Sequence, residues 1–231
     1  MAYALVVTAT AEGNGTTSSA VNTTGADIVV ACTEAGGGAN PTVLDSKSNV
    51  WTGATDWNVS NPHCRIWYAI NPTVGSGHTF TINGTDSAGI FSAFSGSKLT
   101  APIDQQNAKD TGGFNGDPAS PGSITPTEDN ELIISCICNG HGAADVAVDS
   151  GMTMLAQLPL AGGVHFALFA AYKVQTTAAA INPSWSNMGN DGGNLIIASF
   201  KAAPAGGDPG VTRYKSDGWN GLYDRRGRRL G

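Results

Sequence analysis

The chain alternates between short apolar runs and stretches of glycine, asparagine, proline and serine. Strand-like runs fall near Tyr3–Thr10, Ser18–Asn22, Asp27–Thr33, Val50–Thr52, Cys64–Ile70, His78–Ile82 and Ala88–Phe94. A second set falls near Ser123–Thr127, Glu131–Cys138, Val146–Val148, Thr153–Leu155, Val164–Val174, Ile181–Trp185 and Asn194–Lys201. Between them lie Gly36-Gly37-Gly38, Asn71-Pro72, Asn83-Gly84, Asn139-Gly140 and Asp191-Gly192-Gly193, which favour turns because they tolerate left-handed backbone or preset φ. No run of ten residues carries a helical period. In Val164–Val174 the face Val164, Phe166, Leu168, Ala170, Tyr172 and Val174 reads as the core side, since residues two apart share a face.

The two sets repeat one another. Asp27-Ile-Val-Val-Ala-Cys32 resembles Glu131-Leu-Ile-Ile-Ser-Cys136 at a shift of 104, and Arg65-Ile-Trp-Tyr68 aligns with Phe169-Ala-Ala-Tyr172 at the same shift. Ser92-Ala-Phe94 aligns with Ala198-Ser-Phe200 at 106. This predicts an all-β fold, an antiparallel two-sheet β-sandwich of jelly-roll type with an internal pseudo-repeat. Its halves span about 16–96 and 119–201 within one domain, 1–203. Two small sandwiches in tandem are the alternative, which would give two thin cores.

From Pro204 the pattern changes. Residues 204–210, PAGGDPG, read as a linker, and the segment to Gly231 neither alternates nor repeats. Residues 1–203 hold 6 Lys/Arg against 15 Asp/Glu, whereas 204–231 hold 6 against 3, within an overall net charge of -6. An acidic body argues against nucleic acid, because phosphate binding needs a basic face. Ordering the 28 tail residues costs on the order of 30 kcal/mol of backbone entropy. Burying Trp219, Leu222 and Tyr223 returns about 6–9 kcal/mol. A free tail therefore stays disordered, and a held one must dock on its own body, a neighbouring copy or another protein. The expected contacts are Trp219, Leu222, Tyr223, Arg225, Arg226, Arg228 and Arg229, the arginines suiting acidic acceptors.

Little catalytic chemistry is legible. Cys136, Cys138 and His141, with His63 and Cys64, suggest zinc at first sight. However, Cys-x-Cys on one strand sets the sulfurs about 6–7 Å apart, too wide for one tetrahedral ion unless the strand bulges. The four cysteines read as small buried hydrophobes kept as thiols; a disulfide to Cys64 in an oxidising medium is the other reading. Asn83–Asp86, Asn115–Asp117 and Asn190-Asp191 lack the spacing of a calcium loop and read as solvated turns. No Ser-His-Asp or Cys-His set is apparent, no carboxylate pair can be nominated for glycoside cleavage, and no cofactor or metal is expected. Trp67 and Trp185 read as core. Trp57, in Asp56-Trp57-Asn58, is the best surface candidate for stacking on a sugar. No basic leader precedes an apolar run and no segment reaches membrane-spanning length, so the expectation is synthesis in the cytoplasm without membrane association.

Ala93-Phe-Ser-Gly96, Ala101-Pro-Ile-Asp104, Asn130-Glu-Leu-Ile-Ile134 and Asn194-Leu-Ile-Ile-Ala-Ser-Phe200 together resemble a loosely defined group of bacteriophage and prophage proteins with jelly-roll-like virion domains. The likeness covers roughly residues 16–203. It implies a non-enzymatic virion component: a head decoration (cement) protein, a head fibre or a tail protein. Such a protein would be located in the virion and bound to other copies of itself and to capsid proteins. The alternative is a carbohydrate-binding or receptor-binding module, tail-associated or adhesin-like.

Overall fold

The structure is a computed structural model that describes residues 2–37, 40–57, 61–110, 117–142, 145–189 and 193–204. At 55–57, 212–213, 222–223 and 229–230 the backbone alone is described. The first half holds β1 (Ala4–Glu12), β2 (Thr16–Thr17), β3 (Ile28–Ala35), β4 (Thr42–Asp45), β5 (Thr52–Trp57), β6 (His63–Ile70), β7 (Phe80–Asn83) and β8 (Ala88–Ser95). The second holds β9 (Ile103–Asp110), β10 (Glu131–Asn139), β11 (Ala147–Val148), β12 (Thr153–Leu158), β13 (Ala167–Gln175), β14 (Trp185–Ser186) and β15 (Gly193–Phe200). All pairing is antiparallel. The chain is all-β, and its centre is a sandwich of two five-stranded sheets.

The repeat is carried into the topology. One sheet runs β1-β8-β3-β6-β5 and the other β9-β15-β10-β13-β12, the same order in equivalent strands. The winding closes within each half: β1 pairs β8, β2 pairs β7 and β3 pairs β6. In the second half β9 pairs β15 and β10 pairs β13, while the second strand is reduced to the bridges Ala119↔Trp185 and Ile124↔Ile181. Even the irregularities repeat. β1 bulges at Leu5/Val7 beside Phe94, and β9 bulges beside Phe200. β5 bulges between Gly53 and Asp56, and β12 between Met154 and Ala156. All four edge strands of the two main sheets are thus kinked, which spoils them as templates for a further strand.

The halves share one core. Ile28, Val30, Cys32, Ile66, Ile90 and Phe94 of the first sheet meet Leu132, Ile134, Cys136, Leu168, Ile196 and Phe200 of the second. Each sheet also buries its outer face. The first is covered by the three-stranded sheet β2-β7-β4, with Phe80 stacked on Phe91 at 4.9 Å. The second is covered by β11-β14, where Trp185 is fully buried against Phe169 and Leu195 and donates its indole N–H to Ser135 Oγ at 3.0 Å.

Several expectations shift. Leu168 and Ala170 face the shared core, but Ala167, Phe169 and Ala171 on the other side of β13 are buried as well. Val164 lies before the strand and is exposed. Trp67 is half-buried on the outer face, with the Arg65 guanidinium 4.2 Å over its ring. β4 and β9 carried no strand reading. β9, Ile-Asp-Gln-Gln-Asn-Ala-Lys-Asp, is polar because it is an edge strand. Residues 123–127 form only the Ile124 bridge. The tail, read as patternless, forms three paired two-residue strands: β16 (Thr212–Arg213), β17 (Leu222–Tyr223) and β18 (Arg229–Leu230). Asp217-Gly218 and Asn220-Gly221 lie between the first two in sequence and favour reversal.

The shared core predicts that the halves unfold together. Urea denaturation should show one transition by both tryptophan fluorescence and circular dichroism. Phe94→Ala and Phe200→Ala should each cost about 3–5 kcal/mol and move the whole transition. A separate transition for one half would contradict a common core.

Candidate functional site

The two ends of the sandwich differ. At one end residues 2–3 and 202–204 come together beside the link between the halves. Tyr3 OH donates to Lys201 O at 2.8 Å and lies 3.1 Å from Ser97 Oγ. Ser97 bridges Ala202, and Ala203 N donates to Gly96 O at 2.7 Å. Gly96 has φ 92, and a Cβ there would stand 2.5 Å from Ala2 O, so the site requires glycine. Residues 202–203, close to the last described before the tail segment, are therefore pinned to the body.

That root is acidic. Lys201 Nζ lies 3.1 Å from Asp104 Oδ1 and 3.2 Å from Glu128 Oε1, and both raise its pKa. Thr127 donates its N–H and its hydroxyl to Asp104, each at 2.8 Å. Burial pushes the Glu131 carboxyl up, and neighbouring Asp104 adds to the shift. Asp104 itself is held below its usual range: burial opposes this, but the Thr127 and Lys201 hydrogen bonds outweigh it. Ala2, Glu128, Asp129, Asn130, Ala202, Ala203 and Pro204 line an open cavity of about 280 Å³. Of the expected tail contacts, Trp219, Arg225, Arg226 and Arg228 lie outside the described residues. Leu222, Tyr223 and Arg229 are described as backbone alone, in β17 and β18.

The opposite end carries the loops after β3, β5, β10, β12 and β14. Trp57 closes β5 there, its backbone in register with Cys64; its side chain lies outside the described residues. His141 and Asp145 pair at 3.1 Å at this end, and Asp117 accepts from the backbone of Asn187 and Met188. These contacts tie neighbouring loops together.

Two polar clusters could not be read from sequence, because each joins distant segments. In the first, Thr23 Oγ1 lies 2.9 Å from His78 Nδ1, and His78 Nε2 lies 3.3 Å from Asp45 Oδ1, though poorly aligned. Asp45 also accepts from the Trp51 indole at 2.8 Å and from Lys47 N at 2.8 Å. This is a hydroxyl–imidazole–carboxylate row. It is sealed, however: Thr23 and His78 have no exposure, and Gly75 N occupies the Thr23 oxygen. Burial pushes the His78 pKa down, with Asp45 opposing it. The row fixes the 45–51 and 73–78 loops and offers no access to a substrate.

The second cluster lies inside the shared core. All four cysteines are buried thiols. Cys64 Sγ and Cys136 Sγ touch at 3.6 Å, and Cys138 Sγ donates to Pro62 O at 3.4 Å. Glu34, repeat partner of Cys138, is fully buried next to them. Burial pushes its carboxyl up to about 10, nearby Asp86 adding to the shift. The Ala88 and Phe166 backbones favour its charged form, but through contacts too poorly aligned to be full hydrogen bonds. Among the described residues no three His, Cys, Asp or Glu side chains are placed to hold a metal ion, and no helix is long and apolar enough to cross a membrane.

Comparison with protein-family models, with curated proteins and with solved structures found no match to this chain.

Glu34 makes stability depend on pH. It is protonated when folded and ionises in the unfolded chain near the ordinary value of a glutamate, 4.5. The folded state thus binds the extra proton between pH 4.5 and about 10, so stability is greatest below that window and falls as pH rises through it. Glu34→Gln should flatten this fall and raise stability at pH 7 by up to about 3 kcal/mol. Urea titrations of both proteins from pH 5 to 9 check it. An unchanged slope would mean that Glu34 ionises freely in the fold.

Proposed function

We propose that the chain is a non-enzymatic structural component of a virion. It would be a head decoration or head-fibre protein, held to the capsid or interlaced with other copies through its C-terminal segment. The observation that carries this reading is the pinning of Lys201 and Ala203 by Tyr3 and Gly96, just before the point in the sequence where an acidic body gives way to a basic segment. The fold supports it. The central strands of each main sheet are buried on both faces, and the described acid–base row is sealed. A rigid body pinned just before its basic segment suits a particle component.

Truncation after Pro204 tests the reading. Particles mixed with the shortened protein should lose most of their decoration relative to the full chain, while circular dichroism of the body stays unchanged. Wild-type occupancy by the shortened protein would remove the anchoring role.

A second reading is favoured by one observation: Trp57 closes β5 at the end away from the tail exit. There the loops would bind a carbohydrate or receptor, with the tail as tether. On a glycan array, binding by the full protein that Trp57→Ala abolishes would support this reading. Absence of binding by both would exclude it.

A further inference from the structure

Every cysteine in the chain lies in the shared core, from three strands: Cys32 on β3, Cys64 on β6, and Cys136 and Cys138 on β10. Cys32 and Cys136 are repeat partners. Cys64 and Cys138 are not, since the equivalent positions hold Leu168 and Glu34. The repeat alone therefore does not explain the gathering. Cys64 and Cys136 belong to opposite sheets and to opposite halves, and their sulfurs touch at 3.6 Å. Cys32 adjoins Cys136, and Cys138 adjoins Cys64, so the contacting pair sits in the middle of the row.

We propose that Cys64 and Cys136 are a disulfide-forming pair, a covalent staple between the halves made when the chain folds in an oxidising medium. A bond across a sandwich core is a stable arrangement in other β-sandwiches. Forming one here needs the sulfurs to close by about 1.6 Å, to the usual S–S length. The register sets Cys136 between Ala170 and Ile196 and Cys64 opposite Glu34, so the closure is taken up at one alanine and two longer side chains. The partner in the reaction is a low-molecular-weight disulfide such as oxidised glutathione. One cysteine thiolate attacks it, forming a mixed disulfide and releasing one glutathione thiolate. The second cysteine, as its thiolate, attacks the protein sulfur of that mixed disulfide and releases the other. The two protein thiols give up two electrons and two protons, and the oxidant leaves as two thiols.

Timing follows from burial. In the folded chain both sulfurs have no exposure, and burial helps to push both thiol pKa values up. No thiolate is presented and no reagent reaches it. The bond is thus made while the halves close on one another, and in a reducing cytoplasm the pair stays as thiols. The state of the pair in protein taken from its source would then report the medium in which it folded. This inference does not depend on the proposed virion role.

The test uses the full chain, unfolded with reductant and refolded by dilution into a mixture of oxidised and reduced glutathione. Remaining thiols are alkylated in denaturant, and unreduced peptides are mapped by mass spectrometry. Protein with native circular dichroism should carry a Cys64–Cys136 linked peptide, with Cys32 and Cys138 alkylated. Its urea midpoint should exceed that of the reduced protein. Native reduced protein given the same mixture should remain unlinked. Cys32→Ala should keep the linked peptide, and Cys64→Ala should lose it. Four alkylated cysteines in natively refolded protein, or a dominant link to Cys32 or Cys138, would overturn the proposal. The wild-type map decides even if a variant fails to fold.

Discussion

The apolar layer between the two five-stranded sheets is the constraint that organises the molecule. Ile28, Val30, Ile90 and Phe94 have no water-free surface to face except Leu132, Ile134, Ile196 and Phe200. Once that layer is made, each sheet still presents a second apolar face. β3, β10 and β15 are buried along their whole length, so they read as continuous apolar runs rather than alternating ones. The small sheets β2-β7-β4 and β11-β14 answer this need. Neither half could dispense with its partner without exposing a face rich in isoleucine, which is the reason to expect one folding unit.

Within that layer the repeat is broken at one end. Glu34 and Cys138 occupy equivalent positions, and Cys64 stands where Leu168 stands in the other half. A pair of identical halves would have brought two carboxyl groups together. Here one carboxyl lies beside thiols, which are weak acceptors and add no charge while protonated. The cost of burying Glu34 is met by keeping its proton. Nearby Asn194 donates to the Pro62 carbonyl, so the same carbonyl that accepts from Cys138 is held by two donors.

Much of this was legible in the sequence, and the gaps have causes. The strands of the shared core announced themselves by apolar runs and by the shift between halves. β9 did not, because an edge strand with one wet face and a bulge has a mixed pattern: Gln105, Gln106 and Asn107 look like loop. β4 was missed because Thr42–Asp45 is too short for a period to show. Burial of both faces of β13 is hard to read because His165 and Lys173 flank its second face and make the first look like the core side alone. The Thr23–His78–Asp45 row and the sulfur contacts join residues tens of positions apart, and no local spacing encodes them. The tail's pairings depend on two-residue strands that leave no periodic trace.

Where such a molecule can make contacts is then restricted. The faces of the central strands in the main sheets are spent on packing. The four edge strands, β1, β5, β9 and β12, all bulge, so none presents a straight ladder to another chain. That leaves the two ends and the outer surfaces of the small sheets. At the end where the tail departs, Lys201 already engages Asp104 and Glu128, so those carboxylates have a cation of their own. One cation facing Asp104, Glu128 and Asp129 still leaves this end negative. An acidic end of this kind is one surface that the basic residues beyond Pro204 suit by charge, and in the proposed role a second copy would offer the same sign.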